Sequence, residues 1–370
     1  MSSLSFHSGM PALALLLALG SASGAPPEHK TQNIIFVMTD GLRWQEVFEG
    51  GDVSLMTKAN GVENIEEFKL AYWRESTVAR RAALMPFLWS VMAVQGQVYG
   101  NRNLGAEAYV TNGMNFSYPG YNETLCGFPD PKVDSNDKIP NRNVTVLEWL
   151  YKKPAYRGKV AAFGAWDTFG AIFNAERAGF PVVAGYDPLT IPPVTAKVEL
   201  LNQLKLDEPR YMGGEPADAL TFYTVLEYLK AHKPRVLYLS LGETDEWAHS
   251  GNYREYLGAA HRADAYLKKL WETVQAMPEY KGRTTLVFSP DHGRGGAPVE
   301  WKDHGQKIPD SKYIWMAFLG PDTPALKERE RIGAVTQSQI AATLAALLGE
   351  DYRAEVPNAG AVIEDVVGHK

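Results

Sequence analysis

The sequence is short of several things, and each shortage excludes something. It has one cysteine, Cys126, in 370 residues. No intrachain disulfide can form, so a disulfide-stapled scaffold is excluded. A lone thiol without a paired histidine motif reads as a small buried side chain rather than a nucleophile. Positive charge is not in excess: the net charge is −6 and the pI is near 5.8. That argues against a nucleic-acid scaffold as the main partner, since such proteins show a basic face. Beyond the N-terminal segment no apolar run approaches the roughly 20 residues that span a bilayer. Internal repeats and low-complexity tracts are missing too. What remains is 45% hydrophobic and 22% charged, which is ordinary globular composition with material for a large core.

The N-terminus reads as an export signal. Residues 11–19 form an apolar run, and Gly20, Ser21, Ala22, Ser23, Gly24 and Ala25 supply small residues for cleavage. The first ten residues contain no Lys or Arg, a departure from the usual signal. The expectation is a signal peptide over 1–24, a mature chain beginning between residues 21 and 25, and a periplasmic or secreted protein without a membrane span. Residues 25–370 read as one catalytic domain.

Apolar runs at 33–38, 160–163, 236–241, 285–289 and 313–319 read as buried strands. Helical spacing falls between them, at 79–95, 144–151, 217–232, 253–277 and 336–348. Pro86 is expected to start or kink the first of these. Strand–helix alternation predicts an α/β fold with a mainly parallel central sheet flanked by helices on both faces. Residues 101–143 differ. They are rich in Asn, Gly, Pro and Tyr, lack periodicity, and read as an irregular functional insertion.

Four short sequences end these strands or lie in nearby loops: Asp40-Gly41, Asp245-Glu246-Trp247-Ala248-His249, Asp291-His292-Gly293 and Asp303-His304-Gly305. Carboxylates with imidazoles are the ligand set of zinc and similar ions. Singly, each has an ordinary explanation as a turn, a cap or a surface histidine. Only eight histidines occur in the chain, and three fall in these motifs. Asp245 and His249 are four apart, so on a helix they share a face. Asp291 and His292 are adjacent, and adjacent side chains diverge, which favours two metals over one chelate.

This order resembles the alkaline phosphatase superfamily, particularly its nucleotide pyrophosphatase/phosphodiesterase branch: a strand ending in Asp-Gly, a loop hydroxyl, Asp-x-x-x-His, Asp-His-Gly and a later His. The resemblance spans about residues 33–348 and implies an alkaline phosphatase-like three-layer sandwich. It implies a phosphodiester or phosphomonoester hydrolase with two zinc ions, acting on a small-molecule phosphate ester. Asp245, His249 and His304 would hold one ion, and Asp40, Asp291 and His292 the other. The family nucleophile precedes an aromatic-Pro pair. Here Ser117-Tyr118-Pro119 fits, so Ser117 would be both nucleophile and metal ligand. Gly120 replaces the usual Asn of that pattern. Thr111, Thr124 and Ser135 are rival hydroxyls in the same segment.

The family also holds a phosphoryl oxygen with an Asn. Asn141 is the favoured candidate, with Asn136 and Asn143 as alternatives. Arg43, just past Asp40, is a candidate for the phosphate; a salt bridge is its other reading. Tyr121 and Trp166 are candidates for a leaving-group pocket. Three aspartates and a Ser117 alkoxide would balance the charge of two zinc ions. The alternatives are a sulfatase-like sulfate ester hydrolase and a non-catalytic metal- or ligand-binding relative. A sulfatase requires Arg where Tyr121 stands.

Overall fold

The computed structural model describes residues 29–368 together with residues 1, 3 and 4. The expected signal peptide and its cleavage site lie outside the described residues.

The described residues run through eleven strands: β1 (Asn33–Thr39), β2 (Gln97–Tyr99), β3 (Ala108–Tyr109), β4 (Val160–Gly164), β5 (Val182–Ala184), β6 (Val236–Leu241), β7 (Thr284–Pro290), β8 (Tyr313–Ile314), β9 (Met316–Leu319), β10 (Lys327–Glu328) and β11 (Val335–Thr336). Eight of them form one sheet in the order β10-β2-β9-β7-β1-β6-β4-β5. The five strands from β7 to β5 are mutually parallel, and β9 alone runs opposite to its neighbours. A small second sheet has the order β11-β3-β8.

Burial on both faces explains the continuous apolar runs. Ile35 and Val37 of β1 join a core shared with helices Trp44–Glu49, Asp218–His232 and Tyr253–Ala276. Ile34, Phe36 and Met38 point the other way, into a core shared with helices Ser117–Cys126, Val146–Lys152 and Gln339–Leu347. Alternate residues of one strand thus feed two cores, and the three-layer arrangement follows.

Register sets the site. Thr39 pairs with Leu241 on one side and with Pro290 on the other. The next residues, Asp40, Gly242 and Asp291, therefore leave the sheet level with one another, at the carboxyl ends of the strands where open α/β sheets place ligands.

Several elements differ from expectation. The predicted helix over 79–95 is broken at Met85: Thr77–Leu84 is one helix, and the chain is helical again from Pro86, through a π-type turn at Leu88–Met92, to Gln95, so Pro86 restarts it as expected. The predicted strand over 313–319 is divided at Trp315, with β8 in the small sheet and β9 in the large one. Helices Ile65–Tyr72 and Ala196–Asp207 were not expected. The segment read as irregular contains a ten-residue helix, Ser117–Cys126. All ten of its residues are buried, so it has no polar face and shows no amphipathic period.

Candidate metal centre

Three carboxylates and three imidazoles converge beyond β1, β6 and β7. Asp40 follows β1 directly. Its Oδ2 accepts a hydrogen bond from the Tyr121 hydroxyl at 2.9 Å. Its Oδ1 is buried without a hydrogen-bond partner and lies 3.2 Å from His292 Nε2. Asp291 is placed similarly. Its Oδ1 accepts the Gly41 amide at 3.0 Å, and its Oδ2 is buried without a partner, 3.5 Å from His292 Nε2. Two orphaned carboxylate oxygens facing one imidazole nitrogen are costly in a dry interior. They fit a bound cation, and the Asp/His donor set suits zinc.

Adjacent side chains were expected to diverge, but Asp291 and His292 converge. Strand alternation ends at Pro290, and past that point the period-two rule no longer applies. Asp40, Asp291 and His292 form one group whose ligating atoms lie within 4.8 Å of each other.

The second group is built on the short helix Glu243–His249. Asp218 receives the Gly242 and Glu243 amides at 2.8 and 3.3 Å and so fixes the helix start. Thr244 donates to the Asp40 carbonyl at 2.5 Å, tying the helix to the end of β1. Asp245 Oδ2 then lies 3.2 Å from His249 Nε2, one helical turn on, as the spacing predicts. His249 Nε2 lies 2.9 Å from His304 Nε2. Asp245 Oδ1 is 3.6 Å from His304 Nε2 and 3.9 Å from His292 Nε2. Asp245, His292 and His304 also form a compact group.

Protonation follows from these contacts. Burial, then His292, lowers the His249 imidazole below its usual range. Burial lowers His304 as well, reinforced by His292 and Arg294. Both rings are thereby kept neutral, the form that ligates metals. The His304 Nδ1 faces the Asn115 carbonyl at 3.1 Å and the His292 Nδ1 faces the Gly293 carbonyl at 2.8 Å. Such outer contacts leave Nε2 toward the centre. Burial alone would lower His292, but Asp291 and Asp40 overcome it and raise the ring to about 9. Burial, with Asp40 beside it, pushes Asp291 well above the carboxylate range. An arriving cation would relieve this crowding of like charges.

Ser117 is the first residue of its helix and is 6% exposed. Its Oγ lies 3.4 Å from His292 Nε2. A helix N-terminus favours anions. The rival hydroxyls are committed elsewhere: Thr111 donates to Glu123, Thr124 to the Gly120 carbonyl and Ser135 to Asp137. The departure at Gly120 has a steric cause. A Cβ there would collide with the Asp291 carbonyl, so the helix sits against the ligand strand closer than Asn would allow.

Three expectations need correction. Asn141 is not brought to Ser117. Its Nδ2 donates to Asn122 at 3.2 Å and lies 3.9 Å from Cys126 Sγ, and its Oδ1 takes the Asn143 amide. Those partners lie roughly 7 to 14 Å further along the helix axis at about 1.5 Å per residue. The alternative, Asn136, accepts the Tyr118 amide at 3.0 Å, beside Ser117. Arg43 does not face a substrate. It is 1% exposed, grips both oxygens of buried Glu46 and donates to the Gly295 carbonyl at 3.0 Å. Tyr121 does not line an open pocket. It is 1% exposed, with its hydroxyl on Asp40 and 2.9 Å from Ser240 Oγ. Burial, then Asp291 and Asp40, raises that phenol far above its usual value, so it stays a donor. Trp166 is half-buried just past β4, two strands from β1.

One residue was missed. Arg294 follows Asp291-His292-Gly293, is 1% exposed, and pairs with the Asp245 carboxylate. Its place next to a ligand motif was the available signal.

No protein-family model matches the sequence, and no curated protein matches it. Solved structures do match, over most of the chain. The wild-type alkaline phosphatase PafA is 11% identical, with a TM-score of 0.58 over 93% of this chain and 100% of its own. The lipoteichoic acid synthase LtaP from Listeria monocytogenes is 14% identical, with a TM-score of 0.53 over 88% of this chain and 73% of its own. A 2-O GAG sulfatase is 15% identical, with a TM-score of 0.52 over 90% of this chain and 73% of its own. The chain thus shares the fold of these alkaline phosphatase and sulfatase structures. At 11–15% identity the likeness is one of fold alone.

Proposed function

We propose that the protein is a two-zinc phosphate ester hydrolase that works through a covalent phosphoseryl intermediate on Ser117. The observation that carries this reading is the Ser117 hydroxyl, at a helix N-terminus and 3.4 Å from the same His292 Nε2 that the two orphaned carboxylate oxygens approach. Asp40, Asp291 and His292 would hold one zinc, and Asp245, His249 and His304 the other. Bound there, zinc lowers the proton affinity of a nearby hydroxyl and offsets charge on the attacking and leaving oxygens. The chain's own part is positional. Ser117 gives up its proton to solvent, its Oγ forms a bond to phosphorus as the bond to the leaving oxygen breaks, and the leaving alkoxide takes a proton from solvent and departs as the alcohol. Water then cleaves the Ser117–phosphate ester, which restores the hydroxyl and releases the phosphate product. Asn136, whose Oδ1 accepts the amide of Tyr118 next to Ser117, is the proposed contact for a phosphoryl oxygen. Trp166 remains the candidate for leaving-group contact. The resemblance to the nucleotide pyrophosphatase/phosphodiesterase branch, and export to the periplasm or medium, belong to the same proposal.

A sulfate ester hydrolase is the second reading, since a 2-O GAG sulfatase shares the fold. It is weakened by Tyr121, which stands where the sulfatase motif requires Arg and is spent on Asp40. Rates on an aryl phosphate monoester, an aryl phosphate diester and an aryl sulfate, with zinc loaded, separate the readings. Ser117→Ala should keep zinc binding and lose at least about a thousandfold in turnover. Faster sulfate than phosphate cleavage, or near-full activity of Ser117→Ala, would overturn the proposal.

A further inference from the structure

Asp245 can be grouped in two ways. Its Oδ2 faces His249 at 3.2 Å, while its Oδ1 faces His304 at 3.6 Å and His292 at 3.9 Å. If Oδ1 were free, Asp245 could serve the His292 side of the centre, and the two ligand sets would merge. Oδ1 is not free. It is held by Nη2 of Arg294.

That guanidinium reaches the other segments that carry an Asp or His ligand. Its Nε donates to the Gly41 carbonyl at 3.1 Å, beside Asp40. Its Nη1 donates to the Lys302 carbonyl at 2.6 Å, two residues before His304. Its Nη2 also meets the Asp245 carbonyl at 3.2 Å. The backbone behind it is tied the same way: the Gly295 amide donates to the Asp303 carbonyl at 3.0 Å. Gly41 makes room for it. At φ +56, a Cβ on Gly41 would lie 2.9 Å from Arg294 Nε and 2.8 Å from Asp245 Oδ1. Burial pulls the guanidinium down from its usual range, opposed first by Asp40, but it starts so high that it stays a cation. A planar fork with five N–H donors can hold a carboxylate and three carbonyls at once, and an ammonium has only three donors for them.

We infer that Arg294 is a positioning residue that sorts the ligands into two sets: by claiming Asp245 Oδ1 it leaves only Oδ2 for a metal, on the side of His249, whose Nε2 lies 2.9 Å from His304 Nε2. The inference rests on the two-metal reading. Outer partners of metal ligands are worth about 10–100-fold in metal affinity.

The test is zinc affinity and stoichiometry, measured by competition with a chromophoric chelator on the full chain. The visible spectrum of the cobalt-substituted protein gives a second readout that does not depend on activity. The unmodified protein should bind two ions. Arg294→Gln should weaken one ion at least tenfold and leave the other within about threefold. His249→Ala should weaken the same ion, and the double variant should lose no further affinity. Arg294→Lys keeps a cation without the fork. It should also weaken that ion and spare the other, and it carries the test if Arg294→Gln does not fold. Unchanged affinities, equal loss of both ions, or tighter binding of both would overturn the inference and leave the two-metal reading standing. Fewer than two ions on the unmodified protein would overturn the two-metal reading, and the inference with it.

Discussion

The Tyr121 hydroxyl lies 2.9 Å from Oδ2 of Asp40 and 2.9 Å from the Ser240 hydroxyl. A phenol on a helix of one layer thus steadies a candidate ligand at the end of a central strand of the sheet. Tyr121→Phe removes the only donor to Asp40 Oδ2 among the described hydrogen bonds and leaves a buried acceptor unsatisfied. Such a loss costs about 1–3 kcal/mol, and outer partners of ligands affect metal affinity by about 10–100-fold. Activity at limiting zinc should fall tenfold or more, with partial recovery at high zinc. Full activity at limiting zinc would remove Tyr121 from this role.

Arg43 and Glu46 make a buried pair, further held by the Tyr253 hydroxyl at 3.0 Å and the Tyr256 hydroxyl at 3.5 Å. Removing one partner of a buried pair is far worse than replacing both. Arg43→Met should therefore destabilise the protein by about 3–5 kcal/mol. Arg43→Met with Glu46→Leu should recover most of that. KM of the folded fraction should be unchanged in both, measured beside urea unfolding. A large rise in KM without loss of stability would return Arg43 to the substrate.

The carboxylates and imidazoles that converge were legible because their chemistry is local. Asp40 and Asp291 end apolar strands, and Asp245 and His249 share a helical turn. Each can be read within a few residues. What packing decides could not be read. The Ser117–Cys126 helix is buried all round and contains Pro119 and Gly120, so neither periodicity nor propensity marks it as helix. Glu123, in that helix, is fixed by Thr111 and Asn112, and nothing in the sequence signals such a pairing. Arg43 read as available to a phosphate because Glu46, three residues on, gives no sign that it is buried. Arg294 has the same character: its partners lie in three segments far apart in the chain.

Asn136 and Asn141 can be separated by kinetics. Asn136 is exposed and lies beside Ser117, where its Nδ2 has no partner among the described residues. Asn141 is 2% exposed and bonded on both ends. Asn136→Ala should lower kcat/KM about tenfold or more with little change in melting temperature. Asn141→Ala should cost about 1–3 kcal/mol of stability with near-normal kcat/KM. The reverse pattern would restore Asn141 as the phosphoryl contact.

A pH-dependent contribution to stability is expected far from the centre, at Asp264. Its two oxygens accept the Phe87 and Leu88 amides, each at 2.8 Å, which fixes the turn after Pro86. The side chain is 1% exposed. Burial raises its carboxyl to about 6, and the two amides pull back without winning. The unfolded value is near 3.9. Between about 4 and 6 the folded state therefore binds more protons than the unfolded state. Linkage then requires stability to fall as pH rises through that window. The contribution is fully present below about 4 and lost above about 6, with an upper bound of about 3 kcal/mol at roughly 1.4 kcal/mol per unit. Asp264→Asn cannot titrate and keeps an acceptor for one amide. Urea unfolding of both proteins at pH 4.5, 6 and 7.5 isolates the effect, because other titrating groups cancel in the difference. Stability of the unmodified protein relative to Asp264→Asn should rise as the pH is lowered from 7.5 to 4.5. A difference that is flat, or that rises with pH, would show that the buried carboxyl stays ionised on its two amides.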